Sequence, residues 1–331
     1  MTKVRVGVIG VGLRGTWHAR ICSQHPNCKL VGVTDVDLDK ARKVSQQFNV
    51  ECFRSVDDMV EDQRVDSVIV ATPDFAHKEP VVVSARAGKH VLVEKPLATD
   101  VEEAEEMVKA SRRYGVKLMV FFENRFLPPF LDIKNTLRDG SIGEPFYIYQ
   151  DLSNSVSVPL KMLGWSGKSN VAYFLMSHTL DLARYLIGSE FSSVYAVSRS
   201  EVLKKLNLDV PDFYHAIIRF SNGAVASLHS SWTLPETMPE VFKQDLEING
   251  SKGFVQFRWD RDIELKVFSQ SVKVIRYSKL EDDPKPTIDR FLDCVAQGTE
   301  PTPSGEDGLA VVKATDALMK SVTRGEPVVI A

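Results

Sequence analysis

Long blocks of charge of one sign are absent from this sequence. Its 331 residues include 41 Lys and Arg against 44 Asp and Glu, which gives a formal net charge of −3 at pH 7. A basic arm or stripe is typical of proteins that bind nucleic acid or anionic membranes, and the sequence shows neither. We therefore expect no nucleic-acid partner and no membrane partner.

Long hydrophobic runs are absent as well. The first apolar run, within MTKVRVGVIGVG, is interrupted by glycines, and no stretch reaches the about 18 consecutive apolar residues that indicate a membrane-spanning helix. The start does not have the pattern of a secretory signal peptide. We expect a cytoplasmic protein.

Cysteine and histidine do not occur in the patterns of metal sites. The four cysteines form no Cys-x-x-Cys pair, and the seven histidines form no His-Glu-x-x-His motif. We expect reduced structural thiols and no bound metal. The cysteines are Cys22, Cys28, Cys52 and Cys294.

The composition that remains is that of an ordinary globular protein, with 44% hydrophobic and 26% charged residues. A chain of 331 residues exceeds the usual size of one hydrophobic core. The length therefore predicts two domains.

The N-terminal segment combines a strand, a glycine-rich turn and a helix. VRVGVI, a β-rich run, leads into the GxGxxG motif of residues 10–15, and a helical pattern follows. The three glycines permit a tight turn, a close approach of the backbone to a pyrophosphate, and close packing of helix on strand. The helix N-terminus then favours phosphate groups. The residues predicted to form this site are Gly10, Gly12, Leu13, Arg14 and Gly15.

A second predicted strand, KLVGVTD, ends in Asp35, which lies 20 residues after Gly15. At this spacing a carboxylate reaches the adenosine ribose hydroxyls, and its charge repels a 2′-phosphate. The motif and Asp35 together predict NAD as the cofactor rather than NADP. Asp37 is a second candidate for this role, with a solvated turn position as the alternative.

Helical and strand patterns then alternate as far as KLMVFF. Such alternation predicts a parallel sheet covered on both faces, with ligands at the carboxyl ends of its strands. Thr72 and Pro73 close one predicted strand, and Glu94, Lys95 and Pro96 close another. We expect both segments near the cofactor.

Several segments together resemble the Gfo/Idh/MocA oxidoreductases: GVIGVGLRG, ATPDFAH, AGKHVLVEKP and SHTLDLARYLIG, with later matches in WTLP, LEINGSKGFVQF and GTEPTPSGEDGL. The resemblance covers the whole chain. It implies an α/β Rossmann domain with a parallel sheet, followed by an α+β domain whose large, mostly antiparallel open sheet forms oligomer contacts. We expect domains at residues 1–122 and 123–331, a homodimer or homotetramer, and C-terminal helices that are candidates to pack back on the first domain.

The same resemblance implies a site. Members of the family mostly oxidise or reduce sugars, sugar nucleotides and cyclitols. It implies that Lys95 stands near the nicotinamide and the reacting carbon, and that His178 is the acid or base. It also implies that the cofactor is lined by Thr72, Pro73, His77 and Glu94.

The chemistry of hydride transfer agrees with these residue types. A secondary alcohol must lose its hydroxyl proton as the carbonyl forms, and histidine suits this task because its ordinary pKa is about 6.5. A partly buried lysine stabilises the developing oxyanion charge. Asp181 follows His178 by one helical turn; it either orients His178 or caps local backbone.

One position departs from the family pattern. An Asp usually precedes the histidine by four residues, and this chain has Phe174 there. The Lys, Asp, His triad of the inositol dehydrogenases is therefore incomplete: either Asp181 or another segment supplies a carboxylate, or Lys95 and His178 act as a dyad. Inositol becomes a less favoured substrate, and a more apolar substrate face becomes an option.

Other residues are candidates for the substrate pocket. Asn124 and Arg125 match the family's polar pair near the nicotinamide or substrate, with a structural role at the domain junction as the alternative. The loop before the His178 helix carries Lys161 and Trp165. Trp165 either stacks on a sugar ring or belongs to the core.

The sequence therefore predicts an NAD-dependent dehydrogenase for a secondary alcohol of a sugar, sugar derivative or cyclitol. In this prediction His178 accepts the alcohol proton and Lys95 polarises the developing carbonyl. Two rival functions remain open. One is a glycosidase that uses retained NAD for transient oxidation, and the other is a non-catalytic sensor of NAD or sugar.

Overall fold

The computed structural model describes residues 3–259, 263–278 and 283–330. The chain forms two compact units. Unit 1 contains Met1–Glu123 and Asp283–Val312, and unit 2 contains Asn124–Asp282 and Lys313–Ala331. The predicted domain boundary between residues 122 and 123 stays a prediction.

Unit 1 contains a six-stranded parallel sheet, in the order β3-β2-β1-β4-β5-β6. Strands β4 and β6 are buried along their whole length, as expected for a parallel sheet covered on both faces. The predicted Rossmann sheet is confirmed. Its strands are β1 (Val4–Ile9), β2 (Cys28–Thr34), β3 (Glu51–Cys52), β4 (Ser67–Val70), β5 (His90–Glu94) and β6 (Leu118–Phe121).

Two helices of this part of the chain begin at capping residues. Asp37 caps α2 by accepting from the Asp39 and Lys40 amides, and Asp100 caps α5 by accepting from the Glu103 amide. The helices are α1 (Leu13–Gln24), α2 (Leu38–Phe48), α3 (Val56–Glu61), α4 (Lys78–Arg86) and α5 (Val101–Tyr114), with a 3-10 turn at Asp74–Ala76.

Unit 2 contains a nine-stranded sheet, in the order β14-β13-β12-β11-β7-β10-β9-β8-β15. Only β7 and β10 pair in parallel among these described strands, so the predicted mostly antiparallel sheet is confirmed. The strands are β7 (Pro145–Ser155), β8 (Phe191–Arg199), β9 (Phe213–Phe220), β10 (Val225–Leu234), β11 (Phe242–Gly250), β12 (Gly253–Trp259), β13 (Glu264–Phe268), β14 (Val272–Arg276) and β15 (Val328–Val329).

Unit 2 contains the helices α6 (Pro128–Arg138), α7 (Ser177–Ile187) and α8 (Val202–Lys205). Helix α7 packs on β7 and β10, and alternate residues of β9 and β10 are buried. Short π-helical segments occur at Val158–Met162 and Ala172–Met176, and the second continues directly into α7. Helix α9 (Lys285–Gln297) follows in unit 1 and contacts β1, and α10 (Gly305–Arg324) is the last helix.

Two further observations concern membranes and metals. In the part of the chain that the structure describes, no helix combines the length and the apolar character that crossing a membrane requires. Within the same residues, no group of three or more His, Cys, Asp or Glu side chains is placed to hold a metal ion. All four cysteines are free thiols.

Candidate active site

The GxGxxG turn lies between β1 and α1. Gly10 has φ +85°, and a Cβ added there would lie 2.8 Å from the Ala71 backbone. A Cβ on Gly15 would lie 1.8 Å from the Gly10 carbonyl oxygen. Both positions therefore require glycine, the first for its backbone conformation and the second for close packing.

The N-terminus of α1 offers room for a phosphate group. A Cβ on Gly12 would meet no described atom within 4 Å, and none of the described side chains caps the helix. An open cavity of about 500 Å³ lies there, lined by Val11, Gly12, Leu13, Thr16, Trp17 and Arg20. An uncapped helix N-terminus beside an open cavity fits the pyrophosphate of a dinucleotide.

Asp35 follows β2 and is joined to the glycine turn. Its Oδ2 accepts a hydrogen bond of 2.8 Å from the Val11 amide, and its Oδ1 accepts one of 2.9 Å from the Asp37 amide. Asp37 instead caps α2. Of the two candidate carboxylates, Asp35 is thus the one that is tied to the turn.

A buried ionic cluster stands behind the turn. Arg14 Nε lies 3.0 Å from Glu94 Oε1, and His18 Nε2 lies 2.7 Å from the same oxygen. Burial alone would raise the pKa of Glu94, but the charges of Arg14 and His18 hold it well below its usual range. Glu94 is therefore ionised and connects the glycine turn to the end of β5.

Lys95 follows directly after β5 and is partly buried. Burial lowers the pKa of its ammonium group, while the carboxylates of Glu123 and Glu94 act in the opposite direction. Glu123 is buried, and its Oε1 lies 3.6 Å from Arg14. The sequence prediction did not include Glu123, although its place after β6, at the carboxyl edge of the sheet, is a signal that could have found it.

His77 connects the two segments that were predicted to lie near the cofactor. Its Nδ1 lies 2.9 Å from the Pro96 carbonyl oxygen, and its Nε2 lies 3.1 Å from the Thr72 carbonyl oxygen. The Thr72 hydroxyl donates to the Ala76 carbonyl, and Pro73 precedes the 3-10 turn. The ring therefore fixes the backbone next to Lys95, and its contact with the cofactor stays a prediction.

In unit 2, one helical face carries the predicted acid or base. Phe174, His178, Asp181 and Tyr185 follow one another at intervals of four, three and four residues along the π-helical segment and α7. These intervals place them on one side of the helix. His178 is 9% exposed. Local π-helical geometry is frequent at functional sites.

Asp181 forms a buried pair with Arg125. Arg125 Nε and NH2 donate to its two carboxylate oxygens at 2.8 and 2.6 Å, and the two side chains are 4% and 2% exposed. The Arg125 guanidinium also lies over the Tyr185 ring, 4.8 Å from its centroid. This partner was not predicted for either residue. The pair fixes α7 to the segment that carries Asn124, which is itself buried.

The remaining substrate candidates lie in different environments. Trp165 contacts Phe174 edge-on, with ring centroids 6.0 Å apart, and Phe174 contacts Trp232 at 5.7 Å. Lys161 instead forms an exposed ion pair with Glu236. The structure thus brings Trp165 close to the His178 helix through Phe174, and it gives Lys161 a surface partner.

Two family descriptions match the chain. The NAD-binding Rossmann fold of the Gfo/Idh/MocA oxidoreductase family matches residues 4–122, and the Gfo/Idh/MocA C-terminal domain matches residues 130–256. The chain belongs to the Gfo/Idh/MocA family. This confirms the resemblance that the sequence motifs indicated.

Individual members of the Gfo/Idh/MocA family are similar over the whole length. Inositol 2-dehydrogenase of Rhizobium meliloti (strain 1021) is 28% identical, with 99% of each chain covered. Levoglucosan dehydrogenase of Pseudarthrobacter phenanthrenivorans is 26% identical, with 98% of this chain and 97% of that protein covered. A solved structure of levoglucosan dehydrogenase in complex with NADH and levoglucosan superposes with a TM-score of 0.91 at 25% identity, covering 100% of both chains.

Proposed function

We propose that this protein is an NAD-dependent dehydrogenase that acts on a secondary alcohol of a sugar, sugar derivative or cyclitol. The observation that carries the proposal is the placement of Lys95 at the carboxyl end of β5, in the same unit as a glycine turn that fits a dinucleotide. Family membership and the activities named for its relatives, on inositol and levoglucosan, support the same class of substrate.

In this proposal NAD, when bound, supplies the acceptor for the hydride. His178 accepts the proton of the substrate hydroxyl, since an imidazole near neutral pH serves as a general base. The Lys95 ammonium stabilises the negative charge that develops on the substrate oxygen. Asp181 is a positioning residue. Both of its oxygens accept from Arg125, so it holds in place the helix that also carries His178.

A substrate screen tests the reaction. Incubation with NAD and a panel of sugars, sugar acids, glycosides and cyclitols should give NADH with at least one substrate. Tight NAD binding without turnover of any panel member would favour the sensor, whereas anaerobic release of an aglycone without net NADH would favour the glycosidase. Either result would overturn the proposed dehydrogenase.

We further propose that NAD is preferred to NADP, and Asp35→Asn tests this preference. The substitution removes the charge that repels a 2′-phosphate but keeps an oxygen that can accept from the Val11 amide. We expect the ratio of kcat/KM for NAD to that for NADP to fall by at least about tenfold, which corresponds to roughly 1.4 kcal/mol.

Asp37→Asn is the matched control for that experiment. It removes a neighbouring charge and keeps an acceptor for the α2 cap, so the ratio should change less than about twofold. Equal or better use of NADP by the unaltered protein would contradict the role of Asp35.

Glu123 gives a prediction about pH. If Lys95 acts as an ammonium group, activity is present below its pKa and is lost as the pH rises through it. Burial lowers that pKa and Glu123 raises it, so Glu123→Gln should move the alkaline limb of the kcat/KM profile to lower pH. Glu102→Gln, at an exposed position of α5, should leave the limb in place. An alkaline limb that does not move in Glu123→Gln would show that Glu123 does not raise the pKa of the group that sets this limb.

We also propose a homodimer or homotetramer that assembles through the unit 2 sheet. Tyr195 on β8 and Ile217 on β9 are cross-strand neighbours and are 39% and 47% exposed. Apolar side chains that are exposed together favour an interface. Light scattering should give the mass of two or four chains, and a monomer would contradict the proposal.

The cytoplasmic location stays a prediction that cell fractionation can test.

A further inference from the structure

The helix that carries His178 has an aromatic ring at the neighbouring position of the same face. Phe174 precedes His178 by four residues, at the junction of the π-helical segment with α7. Side chains at this interval are neighbours on a helix surface. The side chain four residues before His178 on this face is therefore apolar, whereas the one three residues after it is Asp181, which is held by Arg125.

Phe174 is the middle ring of three. Its ring contacts Trp165 on one side and Trp232 on the other, at centroid distances of 6.0 and 5.7 Å and interplanar angles of 63° and 55°. Phe174 and Trp165 are partly exposed, and Trp232 is fully buried at the base. We call Trp165, Phe174 and Trp232 the aromatic wall. It belongs entirely to unit 2.

One hydrogen-bond donor of the wall has no acceptor among the described residues. The Trp232 indole Nε1 is buried and has no hydrogen-bond partner among the described residues. Leaving a buried donor unsatisfied is unfavourable, so the base of the wall carries a polar atom at a cost in stability.

The chemistry of the wall selects between kinds of sugar. A substrate hydroxyl placed against Phe174 would lose its hydrogen bonds to water and gain none from the ring, which disfavours binding. An apolar substituent in the same place would favour binding, because its surface is removed from water. Both effects favour a substrate that places an apolar substituent, and not a hydroxyl group, against Phe174.

We propose that the aromatic wall determines specificity and receives an apolar part of the substrate, so that the preferred substrates are glycosides with an alkyl or aryl substituent rather than free sugars or free cyclitols. This inference rests on the proposed dehydrogenase function. It assigns to Phe174 and Trp165 a role in selecting the substrate, with Trp232 packed behind Phe174, and gives none of the three a role in moving protons.

Paired substrates test the wall. Free hexoses are compared with the methyl and phenyl glycosides of the same hexoses, and with myo-inositol, both by kcat/KM with NAD and by calorimetric Kd in the presence of NADH. We expect phenyl glycosides to be preferred to the free sugars by at least about tenfold in both measurements, since a hydrophobic pocket discriminates by about 10 to 200-fold for one group.

Variants of Phe174 make the test specific. Phe174→Asp should lower the ratio of phenyl glycoside to free sugar by at least about tenfold, and Phe174→Leu should lower it by a smaller factor because it keeps an apolar side chain. Phe268→Leu, an exposed ring on β13, is the control and should leave the ratio unchanged.

The two readouts separate failure of the wall from failure of the proposed function. Turnover without preference for glycosides, or a ratio that Phe174→Asp does not change, would overturn the wall alone. Preferential binding of phenyl glycosides without turnover would overturn the dehydrogenase and support the wall. Absence of binding by every member of the panel would overturn both.

Discussion

Replacing either Lys95 or His178 with alanine is expected to lower kcat by more than about a hundredfold, while the affinity for NAD is retained. Lys95→Ala removes the charge that stabilises the developing oxyanion, and His178→Ala removes the acceptor of the hydroxyl proton. Both effects belong to the chemical step, so kcat and kcat/KM should fall together. Single-turnover kinetics and NAD titration by fluorescence measure the two quantities separately.

Lys109→Ala is a suitable control, because this exposed lysine on α5 pairs with Glu105 on the same helix, and the variant should retain full turnover. Near-normal turnover in either the Lys95 or the His178 variant would contradict the mechanism. A large loss of NAD affinity in His178→Ala would place that residue in cofactor binding instead.

Asp181→Ala is expected to destabilise the protein by about 3–5 kcal/mol, because it leaves the buried Arg125 guanidinium without its counter-charge. For a unit of this size the melting temperature should fall by about 2–4 °C for each kcal/mol. Differential scanning calorimetry measures the change. The effect is structural, so it should occur in the presence and in the absence of substrate.

Glu190→Ala provides a matched comparison in the same unit. Glu190 also accepts two hydrogen bonds from one arginine, Arg184, at 2.8 and 2.6 Å, but its side chain is 65% exposed. An exposed pair contributes about 0–1 kcal/mol, so this variant should melt close to the unaltered protein. Equal falls in melting temperature in the two variants would show that burial does not determine how much the Arg125 and Asp181 pair contributes to stability.

Local sequence signals were sufficient to predict the glycine turn and the parallel sheet that the structure shows. The strand before Gly10, the spacing from Gly15 to Asp35 and the residues that close β4 and β5 all lie within short segments. Each has a physical reason that does not depend on distant residues. The alternation of helix and strand likewise predicted the parallel sheet.

The substrate side depends on contacts between distant residues, and these were not predicted. Arg125 and Asp181 are 56 residues apart in the chain, and no local pattern pairs them. The sequence showed that Phe174 stands where a carboxylate is usual, but Trp232 meets it only because β10 packs beneath the π-helical segment. Tertiary packing, and not propensity, determines these neighbours.

The contact between Gly15 and the Gly10 carbonyl also limits how this protein can change. Because a single added carbon at position 15 would overlap the oxygen of position 10, no substitution at Gly15 can be accommodated while the turn at Gly10 keeps its path. The two sites are therefore coupled, and in a saturation mutagenesis library each should tolerate glycine alone. A substitution at Gly10 would not relieve this overlap, because the oxygen belongs to the backbone and Gly10 itself has φ +85°. Stepwise evolution of this turn therefore meets a steric barrier at both positions.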